Sequence, residues 1–356
     1  MRQQLDTEFM EQNELIFKDT GDLRLVTWTK EKKGELTEIQ KQYNGLVIEK
    51  ETGEVVCECM PVITDITSEM DALDLIRSTS GLKKRFEYCE DGTTIRLFNH
   101  KDEWRVSTTR CIDAYKSKWS SEKSFGEMFW EIFNRDLLEN LQKTKTYMFV
   151  MLHKENRIVI KHRKNLLMYI CAIENKTGDV FYENVFTNVE TIHRPKLIKQ
   201  RFMIENYEDL YVPYKRGILL KILKDNTWVT YKLDFKKYKA QKELRGNVPN
   251  IQVRYLELLM TDTNAAEELK KMFSEHRFVF TDIKKKFNNF IKNVHTLYIK
   301  SHIKHEEQID ETHKMYRTLK QLHASYKTKN NIITRDVVEK HIKQLDPYLV
   351  YSLISE

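Results

Sequence analysis

The sequence predicts an α+β fold: antiparallel sheets with inserted helices over residues 1–260, then a helical domain over 261–356. Three observations predict it. Short apolar segments separated by turn residues recur up to about residue 235. From about residue 262 glycine is absent, Pro347 is the only proline, and apolar residues fall at helical spacing. The chain has 356 residues, 40% of them hydrophobic and 32% charged, which is enough for a folded protein with two domains.

The elements follow in order. Residues 1–40 are polar, with short helix and strand signals. Residues 45–57 read as a hairpin whose charged turn contains Gly53. Residues 67–77 have helical spacing, with Met70, Leu73 and Ile76 roughly on one side, and the run 78–81 breaks that helix. A second hairpin pairs 93–98 with 104–109, its first strand continuing the segment that holds Cys89. Residues 122–143 read as a helix. Phe125, Phe129, Trp130 and Phe133 form a core-facing stripe on it. Strand pairs are expected at 146–152 with 157–160, at 167–174 with 179–183, and on either side of Lys224-Asp225-Asn226 within 216–235. In the C-terminal part, Phe287, Phe290, Ile291, Val294, Leu297 and Tyr298 mark a helix.

Several function classes drop out. No stretch approaches the roughly 18 apolar residues of a membrane span, and no signal peptide is visible at the N-terminus. Five cysteines are too few and too odd in number for a disulfide framework, so a reducing compartment is the simplest fit. Cys57 and Cys59 share a strand face, but no second pair with ligand spacing follows. The seven histidines beyond residue 262 are scattered. No metal site is therefore expected. The net charge is +7, and residues 196–250 alone hold 13 Lys/Arg against 6 Asp/Glu. That surplus suits a phosphate-rich partner.

The most informative segment is Cys89-Glu90-Asp91-Gly92. With Asn44-Gly45 before a Thr52-Gly53 hairpin, the block Phe149-Val150 to Val159, the pair Arg216-Gly217, and Lys232-Leu233-Asp234 followed by Tyr238, it forms an ordered set of motifs. The set resembles the RNA ligases of the phage tRNA-repair type, and more closely the RNA-ligase-like proteins of large cytoplasmic DNA viruses. The resemblance covers roughly residues 40–260. It implies a nucleotidyltransferase (ATP-grasp-like) ligase fold. In active members the first motif reads Lys-x-Asp-Gly, and its lysine attacks the α-phosphate of a nucleoside triphosphate.

The resemblance also shows what this chain lacks. Cys89 stands at the lysine position and Asn44 at an arginine position. Val150 stands where a glutamate is usual, Arg216 replaces an acidic residue, and Asp234 replaces one of two phosphate-facing lysines, leaving Lys232. Lysyl transfer needs an amine of lowered pKa, carboxylates for metal and ribose, and cations for the α-phosphate. The expected catalytic remnant is Cys89, Asp91 and Gly92. The expected degenerate nucleotide pocket holds Lys232, Arg216, Asp234, Val150 and Asn44, with Arg216 and Asp234 as a candidate ion pair. Lys83 or Lys84 would restore an amine only if the chain bent into the cleft. Arg110, Arg157, Lys236, Lys237 and Lys239 are the candidate nucleic-acid contacts.

The resulting reading is an RNA-ligase-like protein without nucleotidyl transfer, binding RNA or serving a structural role, with no cofactor. One alternative is an active ligase with a rearranged site, using ATP and Mg2+. Another is a scaffold that docks a protein partner through residues 262–356. The resemblance implies action in the host cytoplasm or a virus factory.

Overall fold

The computed structural model describes residues 7–28, 37–198, 211–329 and 332–355. Lys199 and Arg201 of the basic segment, and residues 1–6 and 29–36 of the polar N-terminal stretch, lie outside them. The chain forms two compact units, Met1–Lys242 and Glu243–Glu356.

Three sheets build the first unit. The first has the strand order β1 (Leu15–Thr20), β2 (Leu23–Trp28), β3 (Leu46–Glu49) and β4 (Val55–Cys57). The second contains β5 (Ile63–Asp65), β6 (Lys84–Cys89), β13 (Gly217–Lys224) and β14 (Thr227–Asp234), in the order β5-β14-β13-β6. Between them in sequence run β7 (Thr93–His100), β8 (Glu103–Ser107), β9 (Lys145–Leu152), β10 (Leu166–Glu174), β11 (Val180–Phe181) and β12 (Ile192–His193). These make a six-stranded sheet ordered β11-β10-β9-β7-β8, with β12 beside β10. Pairing is antiparallel except for β5 on β14 and β12 on β10. With its inserted helices, this is the expected α+β arrangement of antiparallel sheets.

Local chemistry explains the corners. The β7–β8 turn places Lys101 and Asp102 at φ 51° and 64°, and the β13–β14 turn places Asp225 and Asn226 at 46° and 61°. Two-residue turns of this hand match the twist of the strands they join. The hairpin at 93–107 therefore forms as expected. However, β7 does not continue β6. The segment Glu90-Asp91-Gly92 crosses from one sheet to the other.

Two further expectations need correction. Residues 157–160 are not a strand, because the Val159 and Ile160 N–H groups donate to the Asp91 carboxylate rather than to a neighbouring strand. The helix expected at 122–143 is shorter. Ser124 caps Phe125–Ile132, then Asn134 caps a separate 3-10 turn at Arg135–Asn140. Phe129 and Phe133 pack with Phe149 and Phe186 under the large sheet, while Phe125 and Trp130 are half-buried beside them. The helix at Glu69–Ser78 forms as expected, but none of its residues is fully buried and Met70 is 63% exposed.

The second unit is helical. It contains Ile251–Thr261, Thr263–Met272, Arg277–Tyr298, Tyr316–Lys329, Arg335–Ile342 and Pro347–Ser355. Its core joins Tyr255, Phe280, Phe287, Ile291 and Tyr298 to Leu319 and Val338. Asp262 ends the first of these helices and caps the next by accepting from the Asn264 and Ala265 N–H groups. The unit begins at residue 243, so it takes in helix 251–261, which the loss of glycine near 262 had left with the first part.

Candidate functional site

The end of β6 sits opposite the start of β13, with Cys89 paired to Gly217. A Cβ at Gly217 would meet the Leu233 carbonyl oxygen at 2.2 Å, so only glycine lets β14 pass this close. Side chains alternate along a strand, which puts Cys89 and Glu87 on one face with Leu219 and Lys221. Across the gap, Thr94, Val150, Met168 and Ile170 of the large sheet complete a cavity of about 220 Å³. Met60, Pro61, Ile63, Tyr182 and Pro195 contribute to its largely apolar wall.

Cys89 is buried, and its thiol lies 3.7 Å from the Glu90 carbonyl oxygen. Burial pushes the thiol pKa up to about 12, against a smaller opposing effect of Arg216. At neutral pH the group is a thiol and a poor nucleophile.

Charged groups around the cavity are paired. Arg216 Nε and Nη2 donate to Asp234 Oδ1 and Oδ2 at 2.8 and 3.0 Å, a two-pronged ion pair over the Tyr238 ring. Lys232 Nζ lies 2.7 Å from Asp65. Lys221 Nζ lies 2.9 Å from the fully buried Glu87, which Arg85 approaches from the other side at 2.6 Å. Glu90 pairs with Lys215. Lys242 stands near Arg216, Asp234, Lys232 and Asp65. Burial and the neighbouring cations lower its pKa.

Asp91 faces away from the cavity. Its Oδ2 accepts from the Val159 and Ile160 N–H groups at 2.9 and 2.8 Å, and Tyr238 donates to Oδ1 at 2.5 Å. The His162 ring donates to the Asp91 carbonyl oxygen at 2.6 Å. Burial, then the Asp91 charge, keeps the Tyr238 phenol protonated far above its ordinary range. Gly92 fits because a Cβ there would meet the Met151 carbonyl oxygen at 2.5 Å.

The cavity thus brings together Cys89, Gly92, Val150, Arg216 and Lys232. Asn44 lines an adjoining hollow and accepts from the Trp28 indole at 3.2 Å. Neither Lys83 nor Lys84 lines the cavity, and Lys84 Nζ donates to the Thr79 and Leu82 carbonyl oxygens instead. The candidate nucleic-acid contacts are dispersed. Arg110 donates to Thr27 and the Trp28 carbonyl and stacks 3.7 Å over the Trp28 ring. Arg157 Nε donates to the Val159 carbonyl oxygen. On the helix Lys236–Arg245, Lys236 pairs with Glu69, Lys237 lies over Tyr211, and Lys239 donates to the Thr67 carbonyl oxygen.

Sequence reading missed Glu87, Lys221 and Lys242. Counting alternate residues from Gly217 would have put Lys221 on the cavity face. It also missed the loop 153–165, where Lys154, Lys161, Arg163 and Lys164 are exposed beside the backbone held by Asp91.

The cavity is small and its charged groups are engaged. The cavity is smaller than the roughly 300–1,000 Å³ of ligand sites. Val150 offers no polar atom, and both cavity lysines are ion-paired.

No protein-family model matches the chain. The immediate-early protein ICP-46 homolog of Invertebrate iridescent virus 6 is 27% identical over 306 residues, covering 75% of this chain and 66% of that protein. The ICP-46 homolog of Invertebrate iridescent virus 3 is 25% identical over 234 residues, covering 60% and 50%. The chain therefore spans between half and two thirds of the length of these relatives. An archaeal ATP-dependent RNA ligase structure is similar with a TM-score of 0.46 and 9% identity, over 74% of this chain and 68% of that one. No residue correspondence follows at that level.

Proposed function

We propose that this protein is a degenerate nucleotidyltransferase that binds RNA and does not transfer nucleotides. The observation that carries the reading is the cavity at Cys89. A protonated thiol takes the place of an amine there, and Arg216 and Asp234 neutralise each other. The basic surface supports RNA as the ligand: the exposed cations of loop 153–165 and the lysines of helix 236–245 supply the charge. We infer the host cytoplasm or a virus factory as its place of action.

Two measurements on the full chain test this. Incubation with α-labelled ATP or GTP and Mg2+ or Mn2+ should leave the protein unlabelled. Covalent label would overturn the degenerate reading and point to Lys221 or Lys232, the two amines that line the cavity. Single-stranded or hairpin RNA should bind with an affinity that falls as salt rises, by about 0.7 logarithmic units per contacted phosphate for each tenfold change. Charge reversal at Lys161, Arg163 and Lys164 should weaken binding. No binding at low salt, or a preference for duplex DNA, would remove the RNA half.

A second reading, docking of a protein partner by the helical unit, is favoured by Phe278 and Ile332, which are 88% and 78% exposed.

A further inference from the structure

We propose that Asp22, Glu49 and His100 form a binding site for a divalent transition-metal ion, with Zn2+ the best match. Asp22 follows Gly21 in the β1–β2 turn, Glu49 ends β3 and His100 ends β7, so three separate chain segments converge. One ligand atom from each lies within 4.8 Å of the other two.

The second observation is the state of His100. The residue is 5% exposed, and both ring nitrogens are buried without a hydrogen-bond partner. Nε2 points at Glu49 Oε1 and Asp22 Oδ2, at 3.5 and 3.7 Å. Those separations are long for hydrogen bonds. The Glu49 separation falls within, and the Asp22 separation just beyond, the edge of a metal-centred tetrahedron, because zinc bonds of about 2.0–2.2 Å set ligand atoms about 3.3–3.6 Å apart. One imidazole and two carboxylates suit a borderline ion such as Zn2+ better than a soft one. Asp22 is 39% exposed, which leaves a coordination position open to water.

Lys101 now partly fills the cation's role. Its ammonium lies 2.5 Å from Asp22 Oδ2 and 3.5 Å from Glu49 Oε1. It is 61% exposed on the β7–β8 turn, free to swing into solvent when a metal arrives. A second group of the same residue types, Glu131, His153 and Glu155, lacks this signature. His153 Nδ1 accepts from the Glu155 N–H, and Nε2 lies 3.1 Å from Glu131 and 3.0 Å from Asn165, so its ring is already partnered.

The test uses the full chain, stripped with chelator, titrated with Zn2+ by calorimetry and with Co2+ by visible absorption. We expect one ion per chain and a Co2+ spectrum without a thiolate charge-transfer band. Changes in the outer shell alone cost about 10–100-fold in metal affinity, so Asp22→Asn and His100→Gln should each cost at least that much. Lys101→Ala should tighten binding by removing the competitor, a gain that a merely structural role would not produce. Asp22→Asn alone decides the matter if His100→Gln unfolds. Absence of one-to-one binding, unchanged affinity in Asp22→Asn, a thiolate band, or weaker binding in Lys101→Ala would each overturn the proposal.

Discussion

Cys89 and Asp91 are two residues apart and live in opposite surroundings. Cys89 looks into a cavity with apolar walls and makes one long sulfur contact. Asp91 looks the other way and is saturated by two backbone N–H groups and a phenol. The Cys89 side of the segment faces an apolar cavity, while the Asp91 side ties sheets, loop and helix together. The contrast teaches that Asp91 serves the architecture whatever the cavity does.

The largest test of that contrast compares Asp91→Ala with Cys89→Ala in urea unfolding. Losing the carboxylate strands three buried donors, which should cost about 3–5 kcal/mol. Removing the thiol leaves a small void and should cost about 1 kcal/mol. Equal losses would mean that Cys89 is as structural as Asp91.

The next test is a double-mutant cycle on Arg216 and Asp234. Each alanine leaves the other charge poorly solvated, since the two side chains are 20% and 10% exposed. The double mutant should lose less than the sum of the singles, by about 1–3 kcal/mol. Additive losses would show that the pair is incidental.

The smallest effect concerns pH and thiol reactivity. Burial raises the Cys89 and Cys171 thiols from 9.0 to about 12. The folded state holds these protons more tightly than the unfolded chain. Their stabilising contribution is therefore complete below about pH 9 and is lost as pH climbs toward 12. Cys89→Ala should flatten that alkaline slope, as followed by thermal melts. At pH 8 an alkylating reagent should reach the half-buried Cys111 first and leave Cys89 for the denatured protein. Rapid native alkylation of Cys89 would place it in an open site instead.

Much of the fold was legible because hairpins advertise themselves through alternation and turn residues. The 93–107 and 217–234 hairpins are cases in point. The false strand at 157–160 had the right apolar pattern, but its donors were claimed by a residue 68 positions away, which no local pattern records. The ion pair of Arg216 with Asp234 was readable because the two residues change sign together against the resembled motifs, and it forms. The Asp22, Glu49 and His100 cluster was not readable. Its members are 27 and 51 residues apart and meet only at the ends of three strands.

The Asp91 carboxylate has a kinetic consequence as well. It ties residue 91 to residues 159 and 160, and to residue 238, across loops of 68, 69 and 147 residues. Closing such loops costs entropy before any bond repays it. These contacts should therefore form late in folding, after both sheets are in place. Weakening them should then speed unfolding more than it slows folding. On this view the basic loop takes its shape last, as the final piece fastened onto an assembled frame.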